Sequence, residues 1–157
     1  MGRRETVTLR EDVEHARSYL RIAELRYGSH LSWRIEVDAT CESIAVPPLL
    51  LQPLVENAVK HAANQSEAPV CIVVTVHGDR DHAEILVSDD GPGLDAGSPA
   101  TAGAGIGLGN LRERLALMYG AGASLALGAA PSGRGTAVRI VLPRQAAFAE
   151  SGAVGTS

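Results

Sequence analysis

The sequence predicts an α/β fold, a two-layer sandwich of helices on one sheet. Two observations carry this. Three stretches place apolar residues at helical spacing, and at least five short stretches are β-branched or alternate apolar with polar residues. Helices with one apolar stripe bury it most simply against a sheet. A chain of 157 residues with 45% apolar content suffices for one domain with its own core. No internal repeat is visible.

Thr8-Leu9-Arg10-Glu11 has the form of a capping box, so the first helix starts there. Val13, Ala16, Leu20, Ala23 and Tyr27 share one stripe, and Gly28 supplies the stop. Leu31, Trp33, Ile35 and Val37 alternate with polar residues, as a half-buried strand does. Pro47-Pro48 opens the next helical stretch, whose core face is Leu51, Val55, Ala58 and Ala62. Pro53 would break a helix interior. Either the helix kinks there, or an irregular turn ends and the main helix starts with Pro53 in its first turn. The second arrangement puts Asn57, Lys60 and His61 on one face. Val70–His77 and Ala83–Asp89 are strands joined by the turn Gly78-Asp79-Arg80-Asp81 and form a central hairpin. Residues from Asp95 to Gly105 lack periodicity and read as a mobile loop. Leu108, Leu111, Leu115 and Met118 mark a third helix ending near Gly120. Ser124–Leu127 and Thr136–Leu142 are the last strands, and a disordered tail follows.

Several function classes are excluded or disfavoured. A formal charge of −4 gives no broad footprint for nucleic acid, and 3% aromatics leave few platforms for stacking bases. No apolar run approaches the roughly 18–20 residues that span a bilayer. The opening Met-Gly-Arg-Arg-Glu-Thr formally fits a myristoylation pattern but is loose enough to arise by chance, and without a hydrophobic h-region it is not expected to be a signal peptide. Cys41 and Cys71 stand far apart, and no Cys/His cluster has zinc spacing. They read as reduced thiols of a cytosolic protein.

The common phosphate-binding fingerprints fail. A P-loop needs Gly-Lys-Ser/Thr, but Lys60 is the only lysine and no glycine precedes it. The dinucleotide fingerprint fails as well: counted from Gly103 its last glycine is Leu108, and counted from Gly105 it is Asn110. Three other segments stand in order: Leu54-Val55-Glu56-Asn57-Ala58-Val59-Lys60-His61, then Asp89-Asp90-Gly91-Pro92-Gly93, then Gly103-Ala104-Gly105-Ile106-Gly107-Leu108-Gly109-Asn110. They resemble the N, G1 and G2 boxes of the GHKL ATPases. The resemblance implies the Bergerat fold, with a mixed, mostly antiparallel sheet on three helices. It also implies a site for ATP with Mg2+, and a lid over about residues 94–106.

Each box has chemistry to match. Asn57 offers a hard amide oxygen, and magnesium keeps several waters, so one protein oxygen plus phosphates can hold it. Lys60 matches the N-box residue that reaches the phosphates, with a surface pair to Glu56 as its plainer role. His61 occupies a position where the histidine kinases of this family often carry an aromatic ring or a histidine near the nucleotide. Glu56 is the candidate general base, although the gyrase-type branch puts its glutamate one helical turn before the asparagine, where Pro53 stands here. Asp89 falls on the apolar side of its strand, where a carboxylate needs a partner. An adenine amine provides a donor, whereas guanine presents an oxygen. Gly91 and Gly93 let the backbone pass close to the base. Gly105, Gly107 and Gly109 open the third helix, where unpaired amides bind anions, with Leu108 and Asn110 beside them. Arg112 and Arg114 read as surface charge, either being able to aid phosphate binding. Thr136 follows Ser132-Gly133-Arg134-Gly135, which is similar to the family's terminal Gly-Thr segment and also to a plain hairpin turn.

The flanks narrow the branch. Val7–Glu14, Tyr19-Leu20, Arg26-Tyr27-Gly28, Val46–Asn57 and Gly107–Leu115 resemble the catalytic end of LytS/YehU-type bacterial sensor histidine kinases, over about residues 5–143. That likeness implies transfer of the ATP γ-phosphoryl group to a histidine on an acceptor and dimerisation segment, and then to a response regulator. None of His15, His30, His61, His77 and His82 lies in the acceptor motif. The expected organisation is therefore an N-terminal helix over 1–28, the ATP-binding domain over 29–143 and a tail over 144–157. The domain is expected in the cytoplasm, without autophosphorylation by itself. An anti-sigma-type serine kinase and an interaction module without transfer remain open alternatives.

Overall fold

The computed structural model describes residues 6–63, 66–91, 99–131 and 135–144, and over 99–107 it describes the backbone alone. Its elements run β1 (Val7–Thr8), α1 (Leu9–Tyr27), β2 (Leu31–Val37), β3 (Ala45–Val46), α2 (Gln52–Ala58), β4 (Val70–Gly78), β5 (His82–Asp89), α3 (Pro99–Tyr119), β6 (Ser124–Ala129) and β7 (Thr136–Pro143). The main sheet has the order β2-β4-β5-β7-β6. β2 and β4 are parallel, and the other three pairings are antiparallel. This is the mixed, mostly antiparallel sheet of a Bergerat sandwich, with α1, α2 and α3 on one face. A small ribbon of β1 with β3 lies apart and has no signal in the sequence pattern.

α1 starts where its capping box stands. Thr8 Oγ1 accepts the Glu11 amide at 3.1 Å, and Glu11 Oε1 accepts the Thr8 amide at 3.0 Å. Gly28 ends it with φ 60°, a conformation glycine adopts without penalty. Val13, Ala16, Leu20 and Ala23 are buried as the stripe requires. The sheet alternation is equally direct: Ile72, Val74 and Val76 of β4 and Ala83, Ile85 and Val87 of β5 face the helices. Leu108, Leu111 and Leu115 close the same core from α3.

Two helices differ from expectation. Gln52 is the first residue of α2 and Pro53 lies in its first turn, which settles the kink question. Pro48 and Leu49 form a turn before it instead of opening it. α2 then widens into a π-helical turn over Val59–Ala63, a feature without a sequence signature. α3 begins at Pro99, so residues 99–106, expected as loop, are helical. Proline suits a first turn, and alanines at 100, 102 and 104 offset the cost of the neighbouring glycines. Arg144, expected as the first residue of the tail, is instead held in the fold, its amide donating to the Asp81 carbonyl at 2.8 Å and its Nη1 to the Asp79 carbonyl at 3.0 Å; the rest of the expected tail, Gly93 and the first part of the expected lid lie outside the described residues. Among the described residues no helix is long and apolar enough to cross a membrane.

Candidate functional site

The apolar register of β5 carries a carboxylate into the core. Asp89 is the last residue of the strand, on the same face as Ile85 and Val87, and is only 5% exposed. Its Oδ1 accepts the Gly91 amide at 2.8 Å. Burial pushes the Asp89 carboxyl above its usual range; the Gly91 amide, the nearby charge of His61 and the Thr136 amide pull it part of the way back. One side of the carboxylate is thus held while the group remains poorly solvated, a state that favours a polar ligand.

Two glycines make this corner possible. A Cβ on Gly91 would lie 2.8 Å from Ala62 Cβ and 3.0 Å from Ala62 Cα, so the loop after β5 packs directly on the π turn of α2. Gly135 has φ 91°, and a Cβ there would lie 1.8 Å from the Asp89 carbonyl oxygen. The stretch before β7 is therefore more than a plain turn. It presses the Gly135-Thr136 step against Asp89. Ala62 is buried as its place on the apolar face of the helix predicts, but its contact with Gly91, and that of Gly135 with Asp89, join segments far apart in the chain and have no sequence signature.

Unpartnered polar groups cluster at the same place. Both ring nitrogens of His61 and Oγ1 of Thr136 are buried without a hydrogen-bond partner. Buried polar atoms are seldom left so, and several in one corner mark a place where a ligand or water supplies the partners. The structure thus brings together Asp89, Gly91, His61 and Thr136.

Other expected residues are placed elsewhere. Lys60 is exposed and lines a groove of about 480 Å3 between α1 and α2 with Tyr19, Ile22, Arg26 and Tyr27. It does not share the buried surroundings of His61, because adjacent residues on a helix point in different directions. Asn57 is half-buried on α2. The Glu56 carboxylate accepts Gln52 Nε2 at 2.8 Å, and its charge acts on Tyr19 of α1. Leu108 is core and Asn110 is exposed. Gly105, Gly107 and Gly109 lie within α3 and not at its start, so their amides belong to the helix ladder. Arg112 and Arg114 are not free surface charges. Arg112 Nη2 donates to the Leu125 carbonyl at 3.2 Å and Arg114 Nη2 to the Pro48 carbonyl at 2.5 Å.

Among the described residues no cluster of three or more His, Cys, Asp or Glu side chains could hold an ion. Asn57, whose amide oxygen is a hard donor, is the residue on α2 that would offer an oxygen to a magnesium ion. A Cβ on Gly109 would meet nothing within 4 Å, so packing does not require glycine there.

The sandwich is that of a GHKL-type ATPase domain, and comparison with known proteins agrees. Residues 48–146 match the family model for histidine kinase-, DNA gyrase B- and HSP90-like ATPases, and the chain belongs to this family. It is 34% identical over 119 residues to the sensor histidine kinase YesM of Bacillus subtilis, covering 75% of this chain and 21% of that protein. It is 31% identical over 152 residues to the sensor histidine kinase/phosphatase LytS of Staphylococcus aureus strain MRSA252, covering 90% of this chain and 26% of LytS. The chain thus spans about a quarter of the length of these relatives. Among solved structures, the nucleotide-free catalytic domain of histidine kinase ThkA superposes with TM-score 0.65 at 16% identity, covering 88% of this chain and 95% of that one. The mycobacterial sensor histidine kinase MprB gives TM-score 0.60 at 25% identity, covering 88% and 96%. The chain is a GHKL ATPase domain homologous to LytS/YehU-type sensor histidine kinases.

Proposed function

We propose that this domain binds ATP with magnesium and donates the γ-phosphoryl group to a histidine on a separate acceptor segment, from which it passes to a response regulator. The observation that carries the reading is the buried Asp89 carboxylate, flanked by the unpartnered polar atoms of His61 and Thr136. Asp89 accepts the adenine amine, Thr136 and His61 complete the polar lining, and Gly91 and Gly135 keep the corner open. Asn57 is the residue that would hold magnesium, whose charge would shield the phosphates. Lys60, exposed beyond Asn57, reaches toward the phosphates or the incoming acceptor. Glu56 is bonded to Gln52 and serves as a helix residue before it serves as a base.

The glycine-rich part of α3 must change for this role. Its amides bind phosphate only if the turns upstream of Gly107 release them. Glycine costs about 1 kcal/mol relative to alanine inside a helix, so a stretch with four glycines over 103–109 opens readily. The sequence relatives, all sensor kinases in the comparisons above, favour this reading over an anti-sigma-type serine kinase. Its test uses labelled ATP, with the chain alone and with an acceptor helical domain of a LytS-type kinase. Label is expected on the acceptor only. Label on the isolated chain would contradict the assignment of the acceptor to another segment.

A further inference from the structure

α2 begins without a side-chain cap of its own, because Leu51 at the N-cap position contributes none. Early amides of a helix need acceptors from elsewhere. Asp12, in the first turn of α1 and 3% exposed, holds the backbone just ahead of α2: Oδ1 accepts the Leu50 amide at 3.2 Å and Oδ2 the amide of Leu51, the N-cap residue, at 2.8 Å. From the opposite side Arg114 of α3 donates to the Pro48 carbonyl. The turn between β3 and α2 is therefore gripped from both flanking helices. Within it Leu49 has φ 60°, an outlier for a bulky residue. Such strain persists only where the surroundings over-determine the backbone.

These contacts connect the two parts of the site. α2 carries Asn57, and α3 carries the glycine-rich box. We infer that Asp12 and Arg114 are positioning residues for the magnesium-phosphate half of the site: by fixing the turn 47–51 they set where α2 presents Asn57 relative to α3. The inference rests on the ATP-magnesium reading above. Asparagine cannot replace Asp12, because its one acceptor oxygen and one donor group leave an amide unmatched. Lysine can replace Arg114 in part, since it too can donate to the Pro48 carbonyl.

The test is calorimetric titration of ADP, with and without magnesium, on wild type, Asp12→Asn, Arg114→Met and Arg114→Lys, each well below its melting temperature. In wild type magnesium strengthens ADP binding. In Asp12→Asn and Arg114→Met that gain is expected to fall about tenfold, while magnesium-free affinity, set by the Asp89 corner, changes less than about threefold; Arg114→Lys recovers part of the gain. A purely structural clamp would lower the melting temperature and leave the magnesium gain intact, which overturns the inference. Equal loss of both affinities in folded variants also overturns it. Wild type that binds no adenine nucleotide defeats the underlying reading, whereas wild type that binds beside unaltered variants defeats this inference alone. Should Asp12→Asn not fold, the Arg114 pair carries the test by itself.

Discussion

Gly135 lies so close to Asp89 that a single added carbon would sit 1.8 Å from the Asp89 carbonyl oxygen. Gly91 makes a second close approach: a carbon added there would lie 2.8 Å from Ala62 Cβ. The buried carboxylate is thus framed by two backbones that tolerate no side chain. Gly91→Ala is expected to cost about 1–3 kcal/mol by overpacking. Gly135→Ala should cost more, since a positive φ adds to a clash with fixed backbone. Urea denaturation measures both; wild-type stability in either variant would contradict the packing.

The Asp89 carboxyl also predicts a pH signature. Burial raises it above its ordinary value in the folded chain. The native state then binds the proton more tightly than the unfolded state does. Stability contributed by the protonated form is lost as pH rises from about 4 through the raised value. Relative to Asp89→Asn, nucleotide-free wild type should therefore lose stability as pH is raised from 4 to 7. Asp12, raised by burial as well, adds a slope of the same sign that both proteins share. Denaturation at several pH values checks the difference; wild type gaining on the variant with rising pH would mean a carboxyl held below its usual range.

Leu49 is 46% exposed yet held at φ 60°. Glycine reaches that conformation freely, while leucine there costs about 1–2 kcal/mol. Against this stands glycine's greater freedom in the unfolded chain, about 0.5–1 kcal/mol. Leu49→Gly should therefore be neutral to about 1 kcal/mol stabilising, read from a melt. A loss beyond about 1 kcal/mol would show that the side chain matters more than the strain.

The helical state of the glycine-rich stretch makes its own prediction. Gly103→Ala should raise helix content in far-ultraviolet dichroism and weaken ATP binding several-fold, because the turns to be released gain stability. Unchanged ATP affinity with raised helicity would separate nucleotide binding from any opening of α3.

Features coded by neighbours in sequence were the legible ones. The Thr8–Glu11 capping box, Gly28 as a stop and the alternation through β4 and β5 depend on local geometry, which for Pro53 left a kink and a first turn both open. The sandwich follows from them, and Asp89 could be placed on the core face by counting along its strand. What escaped was fixed by distant partners. Asp12 bonds residues 38 and 39 positions away, and Arg114 bonds a carbonyl 66 positions away. Gly135 is required by a strand that precedes it by more than forty residues. The π turn that carries Lys60 and His61 meets Gly91 through Ala62, a contact between segments distant in the chain, and the upstream extent of α3 reflects alanine propensity in a stretch whose glycines pointed to a loop.

Selectivity for adenine at Asp89, as proposed, can be tested on the isolated domain. The most direct measurement is calorimetric titration of ATP, ADP and GTP, with and without magnesium, against wild type and Asp89→Asn. ATP and ADP are expected to bind wild type, with GTP weaker by roughly tenfold or more, the equivalent of one lost buried hydrogen bond. Asp89→Asn is expected to lose adenine nucleotide binding while remaining folded. Well-folded wild type that binds no adenine nucleotide would contradict the account.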